Sequence, residues 1–197
     1  NAAGRMGQAE LAAELFLTDD PHRAQPLAAS LCEQNKQRQA TENQILDQAL
    51  QKLRKEYNPL EDQVIVLAGE HWHHGVIGIV SSRICDRYAC PTVLIAVEDG
   101  VGKGSGRSVK GFNLYEALCD SAPLLERFGG HELAAGLTIR AENIPAFKQN
   151  MAAWAKDHVN PQELMPLLHI DCPIAPEFIT LAVSYTHLRA HETDQYL

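Results

Sequence analysis

The sequence has no apolar run near the roughly 20 residues that a bilayer-spanning helix needs, and no charged-then-apolar leader opens it. A membrane is therefore not an expected partner. Cysteine is sparse and unpatterned: Cys32, Cys85, Cys90, Cys119 and Cys172 are odd in number and never form a CxxC pair. That favours reduced thiols in the cytoplasm over a disulfide framework. Basic excess is absent too, with 17 Lys and Arg against 25 Asp and Glu and a net charge of −8. Any nucleic-acid contact must then come from a local patch, because the overall field is repulsive. No DHH cluster of aspartate and histidine offers to hold two divalent metals for phosphodiester hydrolysis. No Ser-His-Asp order or activated cysteine replaces it. The expectation is a chain that binds and does not cut.

What is present is a soluble-type composition, 45% apolar over 197 residues, enough for one cored domain and part of another. The chain opens inside a motif-like NAAGRMG and reads as a fragment. Gln8–Leu17 predicts a short helix, stopped by Thr18-Asp19-Asp20-Pro21, which also caps the next. From there to Tyr57 no glycine occurs, which predicts one long helix ending at Asn58-Pro59. Its stretch Glu33–Gln44 is nearly all polar, so it reads as a connector, with Leu46, Leu50 and Leu53 docking its far end.

From Gln63 the pattern predicts a mixed α/β domain to about Val159. Gln63–Ala68 and Thr92–Val97 are β-branched apolar runs suited to buried strands, and Gly75–Tyr88 has helical spacing between them. Asn113–Phe128 reads as a helical segment interrupted at Pro123, Ala134–Ile139 as a strand and Asn143–Val159 as a helix. Prolines 161, 166, 173 and 176 mark a linker, and Leu167–Cys172 begins a further strand-containing unit. Val183–Leu197 breaks with the preceding pattern, reads as a non-native tail and is set aside, including its His187–His191 pair.

Two motifs carry chemistry. Gly102–Ser108 (GKGSGRS) couples glycines, which let backbone amides approach an oxyanion, with Ser105, Arg107 and Ser108, whose hydroxyls and guanidinium fork suit phosphate. Ser105 and Arg107 are two apart, so an extended strand puts both on one face, and Lys103 and Lys110 add local positive charge. The bland alternative is a glycine-rich hairpin with one exposed arginine. In Phe128–His131 (FGGH), Gly129-Gly130 reads as a tight turn presenting His131, either to a ligand or as a satisfied histidine.

Other residues leave alternatives open. Glu70–Gly78 (EHWHHGVIG) invites a metal, but adjacent His73 and His74 fit one tetrahedral site poorly. A strand-to-helix turn with His74-Gly75 at an anion-seeking helix start is the competing reading. Trp72 suits the core or a stacked base, and Glu98-Asp99 suits a turn. Arg5 suits an edge salt bridge or a phosphate, and Arg83 a surface ion pair with Asp86 or Asp120.

Four stretches, NAAGRMG at 1–7, HWHHGVIGIVSSRI at 71–84, KGSGRS at 103–108 and FGGHELAAGLTI at 128–139, resemble in order the RecJ family of the DHH phosphoesterase superfamily. The resemblance implies single-strand-specific 5′→3′ exonuclease activity in DNA repair and recombination, with Mn²⁺ or Mg²⁺ held by motifs upstream of Asn1. By it, residues 1–20 end the catalytic DHH domain, 21–61 form an interdomain helix, 62–160 a DHH-associated domain and 161–182 a linker and the start of an OB-fold. Holding DNA and its 5′ phosphate maps onto Ser105, Arg107, Ser108, His131, Gly129, Gly130 and His74, with Arg5 and Arg83. Expected partners are single-stranded DNA and, as protein candidates, a single-strand-binding protein or a helicase, with the enzyme a monomer. Two alternatives stand beside this: another DHH phosphoesterase cleaving short oligonucleotides or cyclic dinucleotides, and a non-catalytic nucleic-acid-binding module.

Overall fold

The computed structural model describes residues 1–58, 62–160, 173 and 175. Cys172, nearly all of the linker and OB-fold start, and the segment Val183–Leu197 lie outside the described residues.

Three helices open the chain: α1 (Ala2–Arg5), α2 (Ala9–Leu17) and α3 (Pro21–Glu56). The Asp20 carboxylate accepts from His22 N at 2.9 Å and Pro21 occupies the first turn, as the capping pattern predicts. At about 1.5 Å per residue α3 is roughly 54 Å long. Its polar middle is less solvated than the sequence implied. Gln34 is buried and hydrogen-bonds to Gln8. Glu42 is buried and accepts from both Arg38 and Arg83, the latter at 2.8 Å.

The far end of α3 docks through Ile45, Ala49 and Leu53, spaced i, i+4, i+8, all buried. Leu46 and Leu50 sit at the margin. Trp72 Nε1 donates to Gln48 Oε1 at 2.7 Å and Lys148 Nζ pairs with Glu56 at 2.8 Å. These contacts fix the helix along much of its second half.

The remaining described chain is a five-stranded sheet with helices on both faces. Its elements are β1 (Ile65–Glu70), α4 (Ile77–Tyr88), β2 (Thr92–Glu98), β3 (Val101–Arg107), α5 (Leu114–Asp120), β4 (Leu125–His131), β5 (Ala134–Arg140) and α6 (Ile144–His158). The strand order is β1-β2-β3-β5-β4. β1 and β2 are parallel, joined by α4, and the other pairs are antiparallel. Asp99 and Gly100 have φ of 49° and 76°, the doubly positive pair that a two-residue hairpin turn requires.

Period two along the strands divides the core. Val66, Val93, Ile95, Ala135, Leu137 and Ile139 meet Phe112, Leu114, Phe147, Met151 and Trp154 on the face covered by α5 and α6. Ile65, Leu67, Leu94 and Ala96 meet Ile77, Val80 and Ile84 of α4, with the docking end of α3 behind. Each fully buried side chain of this size contributes about 1.5–3 kcal/mol. Among the described residues no helix is long and apolar enough to cross a membrane.

The helical segment expected over Asn113–Phe128 is a correction. α5 ends at Asp120, a single 3₁₀ turn covers Ala122–Leu124, and Leu125 enters β4. The register slips between Leu125 and Arg127, leaving Glu126 as an extra residue. That bulge lets Leu125 and Phe128, three apart, both pack toward the same core.

Candidate nucleic-acid interface

β3 lies inside the sheet, laddered to β2 on one side and β5 on the other. Its backbone groups are therefore committed to the sheet, and the glycines do not bring amides to an anion as the motif had suggested. They serve packing instead. A Cβ on Gly102, Gly104 or Gly106 would lie 2.7 Å from Ile95, Leu137 or Leu114 respectively, so neighbouring side chains fill the space above them.

The alternate positions, Lys103, Ser105 and Arg107, point to the opposite face, the geometry expected of residues two apart. Arg107 Nη1 donates to the Gly106 carbonyl at 2.7 Å and to Ser105 Oγ at 3.4 Å. α4 crosses here at Gly78, where a Cβ would stand 2.9 Å from Ser105 Oγ and 3.4 Å from Arg107 Nη2. Arg107 is half-buried and has no carboxylate partner among the described residues. Ser108 is committed elsewhere: its hydroxyl donates to the Phe112 carbonyl at 2.8 Å and its N–H to the Leu133 carbonyl at 2.8 Å.

Register carries the same face across β5 and β4. Lys103 pairs with Thr138 and Thr138 with Arg127; Ser105 pairs with Gly136 and Gly136 with Gly129; Arg107 pairs with Ala134 and Ala134 with His131. The result is a grid of three rows. Its middle row is floored by glycine: no atom lies within 4 Å of a Cβ on Gly129, and only the Gly104 carbonyl, at 3.7 Å, lies near one on Gly136.

Gly129-Gly130 belongs to strand β4 and is not the tight turn anticipated; the chain reverses at Glu132-Leu133. Gly130 has φ of 149°. His131 is exposed, and its Nδ1 accepts from Leu133 N at 3.3 Å, so in the neutral ring Nε2 carries the proton outward.

The turn before α4 adjoins this grid. His73 Nδ1 accepts from Gly75 N at 3.1 Å, and the His73 and His74 rings stack at 5.3 Å. Arg5 Nη1 donates to the Gly75 carbonyl at 3.3 Å, and a Cβ on Gly75 would lie 2.2 Å from the Arg5 carbonyl oxygen, so α1 seats directly on this turn. Partial burial, with Lys103 and His73 nearby, lowers the His74 pKa below its usual 6.5 against the opposing pull of Glu98.

His74 is therefore neutral at pH 7. The linked stability is full above 6.5 and is lost as pH falls through the lowered folded value. An anion bound beside Lys103 reverses the balance. In an NMR titration the His74 midpoint should lie below 6.5 and move up on adding phosphate; a midpoint unmoved by phosphate places the anion elsewhere.

The remaining candidates fall outside the grid. Arg83 turns to α3, donating to Glu42 at 2.8 Å and Asn43 at 3.4 Å, so neither Asp86 nor Asp120 is its partner and its charge is spent away from β3. Trp72 is buried with its ring over Gly69, which leaves no face for a base. Glu98 ends β2, and it is Asp99 with Gly100 that forms the β2–β3 turn. Among the described residues no group of three His, Cys, Asp or Glu could hold a metal ion. Missing from the sequence reading were Arg127, Thr138 and the close crossing at Gly78. Period two from Phe128 would have found Arg127 once β4 was recognised as a strand.

The DHHA1 domain family matches residues 61–157. The single-stranded-DNA-specific exonuclease RecJ of Bacillus subtilis is 35% identical over 183 residues, which are 92% of this chain and 23% of that protein. The crystal structure of RecJ in complex with Mg²⁺ from Thermus thermophilus superposes with a TM-score of 0.72 at 41% identity, covering 80% of this chain and 24% of that one. A structure of exonuclease RecJ bound to manganese gives 0.72 at 40% identity over 82% of this chain and 40% of that one. The chain thus spans about a quarter of the length of the curated relative it matches.

Proposed function

We propose, from the DHHA1 match over residues 61–157 and the similarity to RecJ exonucleases, that this chain is the strand-holding part of a single-strand-specific 5′→3′ exodeoxyribonuclease. One observation carries the reading. Ser105, Arg107 and His131 come from distant stretches of sequence, yet register places them on one open sheet face with the guanidinium free of any carboxylate among the described residues.

In this role Arg107 presents its unused donors to a terminal phosphate as a planar fork, Ser105 supports the fork from below, and His131 offers its Nε2 proton from the strand two over. The chain's contribution is positioning: a held 5′ end fixes which phosphodiester lies at the point of cleavage. Arg5 and His74 border the same face. Ser108 supports the reading only by shaping the loop after β3.

The relatives solved with Mg²⁺ and with manganese support a divalent metal for the whole enzyme. The described residues contain no donor set that fits one, so no hydrolytic step is assigned to them. The proposed layout follows: residues 1–20 end the catalytic domain, 21–61 connect, 62–160 hold the strand and 161–182 lead into an OB-fold. The setting is cytoplasmic DNA repair and recombination.

Fluorescence anisotropy with oligothymidylate carrying a 5′ phosphate or a 5′ hydroxyl, at fixed salt, tests the reading. Tighter binding of the phosphorylated end is expected. Equal binding of both ends overturns it.

A further inference from the structure

We infer that Lys103 and Arg127 form a second phosphate subsite, which holds an internal phosphate of the strand whose 5′ end sits at Arg107 and His131. This rests on the reading above and adds a direction and a spacing to it.

The argument is the register of the grid. Lys103 and Arg127 occupy one row, bridged by Thr138, and Arg107 and His131 occupy another, bridged by Ala134. Four residues of β3 separate the rows, about 13 Å at ~3.3 Å per residue. That separation leaves room for each row to take its own phosphate of the same strand. Within the first row the two backbones are about 10 Å apart, two strand spacings, a gap that long cationic side chains can close over Thr138.

Lys103 and Arg127 are exposed, and neither has a carboxylate partner among the described residues. In a chain of net charge −8 such cations give a polyanion a local point of attraction on this face. Arg140, next along the same face of β5, is taken by Glu142 at 3.1 Å, which bounds the patch on that side. Between the cationic rows lie Gly136 and Gly129, with no side chain to obstruct a nucleotide crossing from one to the other.

The test uses the whole 197-residue chain, the Lys103→Gln/Arg127→Gln variant, and two probes, thymidine 5′-monophosphate and 5′-phosphorylated oligothymidylate. The variant should bind the oligonucleotide at least about tenfold more weakly at low salt. The slope of log affinity against log salt should become shallower by about 0.7, the value for one single-strand phosphate. Binding of the mononucleotide, and the preference for a phosphorylated end, should not change. Arg127→Lys, which keeps the charge, should keep the slope.

An unchanged slope in the double variant, with the end preference intact, overturns the second subsite alone. No end preference in the wild-type chain overturns the underlying reading and the two-row arrangement with it. A shallower slope without any end preference would place Lys103 and Arg127 on a strand not anchored at Arg107, and also overturns the arrangement.

Discussion

Replacing Arg107 with alanine is expected to abolish the preference for a 5′-phosphorylated end while leaving the chain folded. Among the described residues the guanidinium donates only to the Gly106 carbonyl and Ser105 Oγ, and losing those bonds orphans no buried charge. Toward a phosphate it would supply hydrogen bonds between charged groups, each worth about 1.5–3 kcal/mol. At about 1.4 kcal/mol per tenfold, that is a loss of roughly 10- to 100-fold for the phosphorylated end. Affinity for the hydroxyl end should change much less. Arg107→Lys keeps the charge but not the fork and should recover only part of the loss. Anisotropy reads the affinities and urea unfolding the fold. A fall in unfolding midpoint equal in effect to the fall in affinity would make Arg107 a packing residue.

Adjacent glycines in β4 should respond oppositely to alanine. A Cβ on Gly130 would lie 2.3 Å from the Ala134 carbonyl oxygen and 2.5 Å from the Ala135 Cα. Both are backbone atoms of the paired strand and cannot step aside. The φ of 149° adds strain for any L side chain. Strain and overpacking together should cost about 3 kcal/mol, with β4 pulled away from β5 and His131 displaced. Gly129 has nothing within 4 Å of its Cβ, so Gly129→Ala should leave stability nearly unchanged. Its new methyl would stand on the open floor, so its effect should appear in oligonucleotide binding. Denaturant unfolding of both variants checks the contrast, and similar losses of stability would contradict it.

Much of the architecture was legible because strong local signals agreed. Asp20-Pro21 marked the start of α3, and the β-branched runs of β1 and β2 stood out from the helical spacing of α4 between them. The shared face of Ser105 and Arg107 followed from period two alone.

Three things were not legible, each for a physical reason. Leu125 and Phe128 are three apart, which is helix spacing, and only the extra residue at Glu126 lets a strand bury both. The polar stretch of α3 gave no hint of burial because its partners, Gln8 and Arg83, lie 26 and 41 residues away in the chain. The glycines of β3 looked like an anion loop because an absent side chain has two uses, access for a ligand and room for a neighbour. Only the positions of Ile95, Leu137 and Leu114 tell them apart.

The bulge in β4 has a consequence for solubility. β4 is an edge of the sheet, and an exposed edge of unpaired amides and carbonyls invites a strand from another molecule. Here the slip at Glu126 breaks the even spacing of those groups, while Glu126, Arg127 and His131 set charged or polar side chains along the edge. A second copy laying a strand there would meet a misaligned ladder and charged side chains that must give up water to pair. The displacement that lets Leu125 reach the core therefore also interrupts the edge against an added strand.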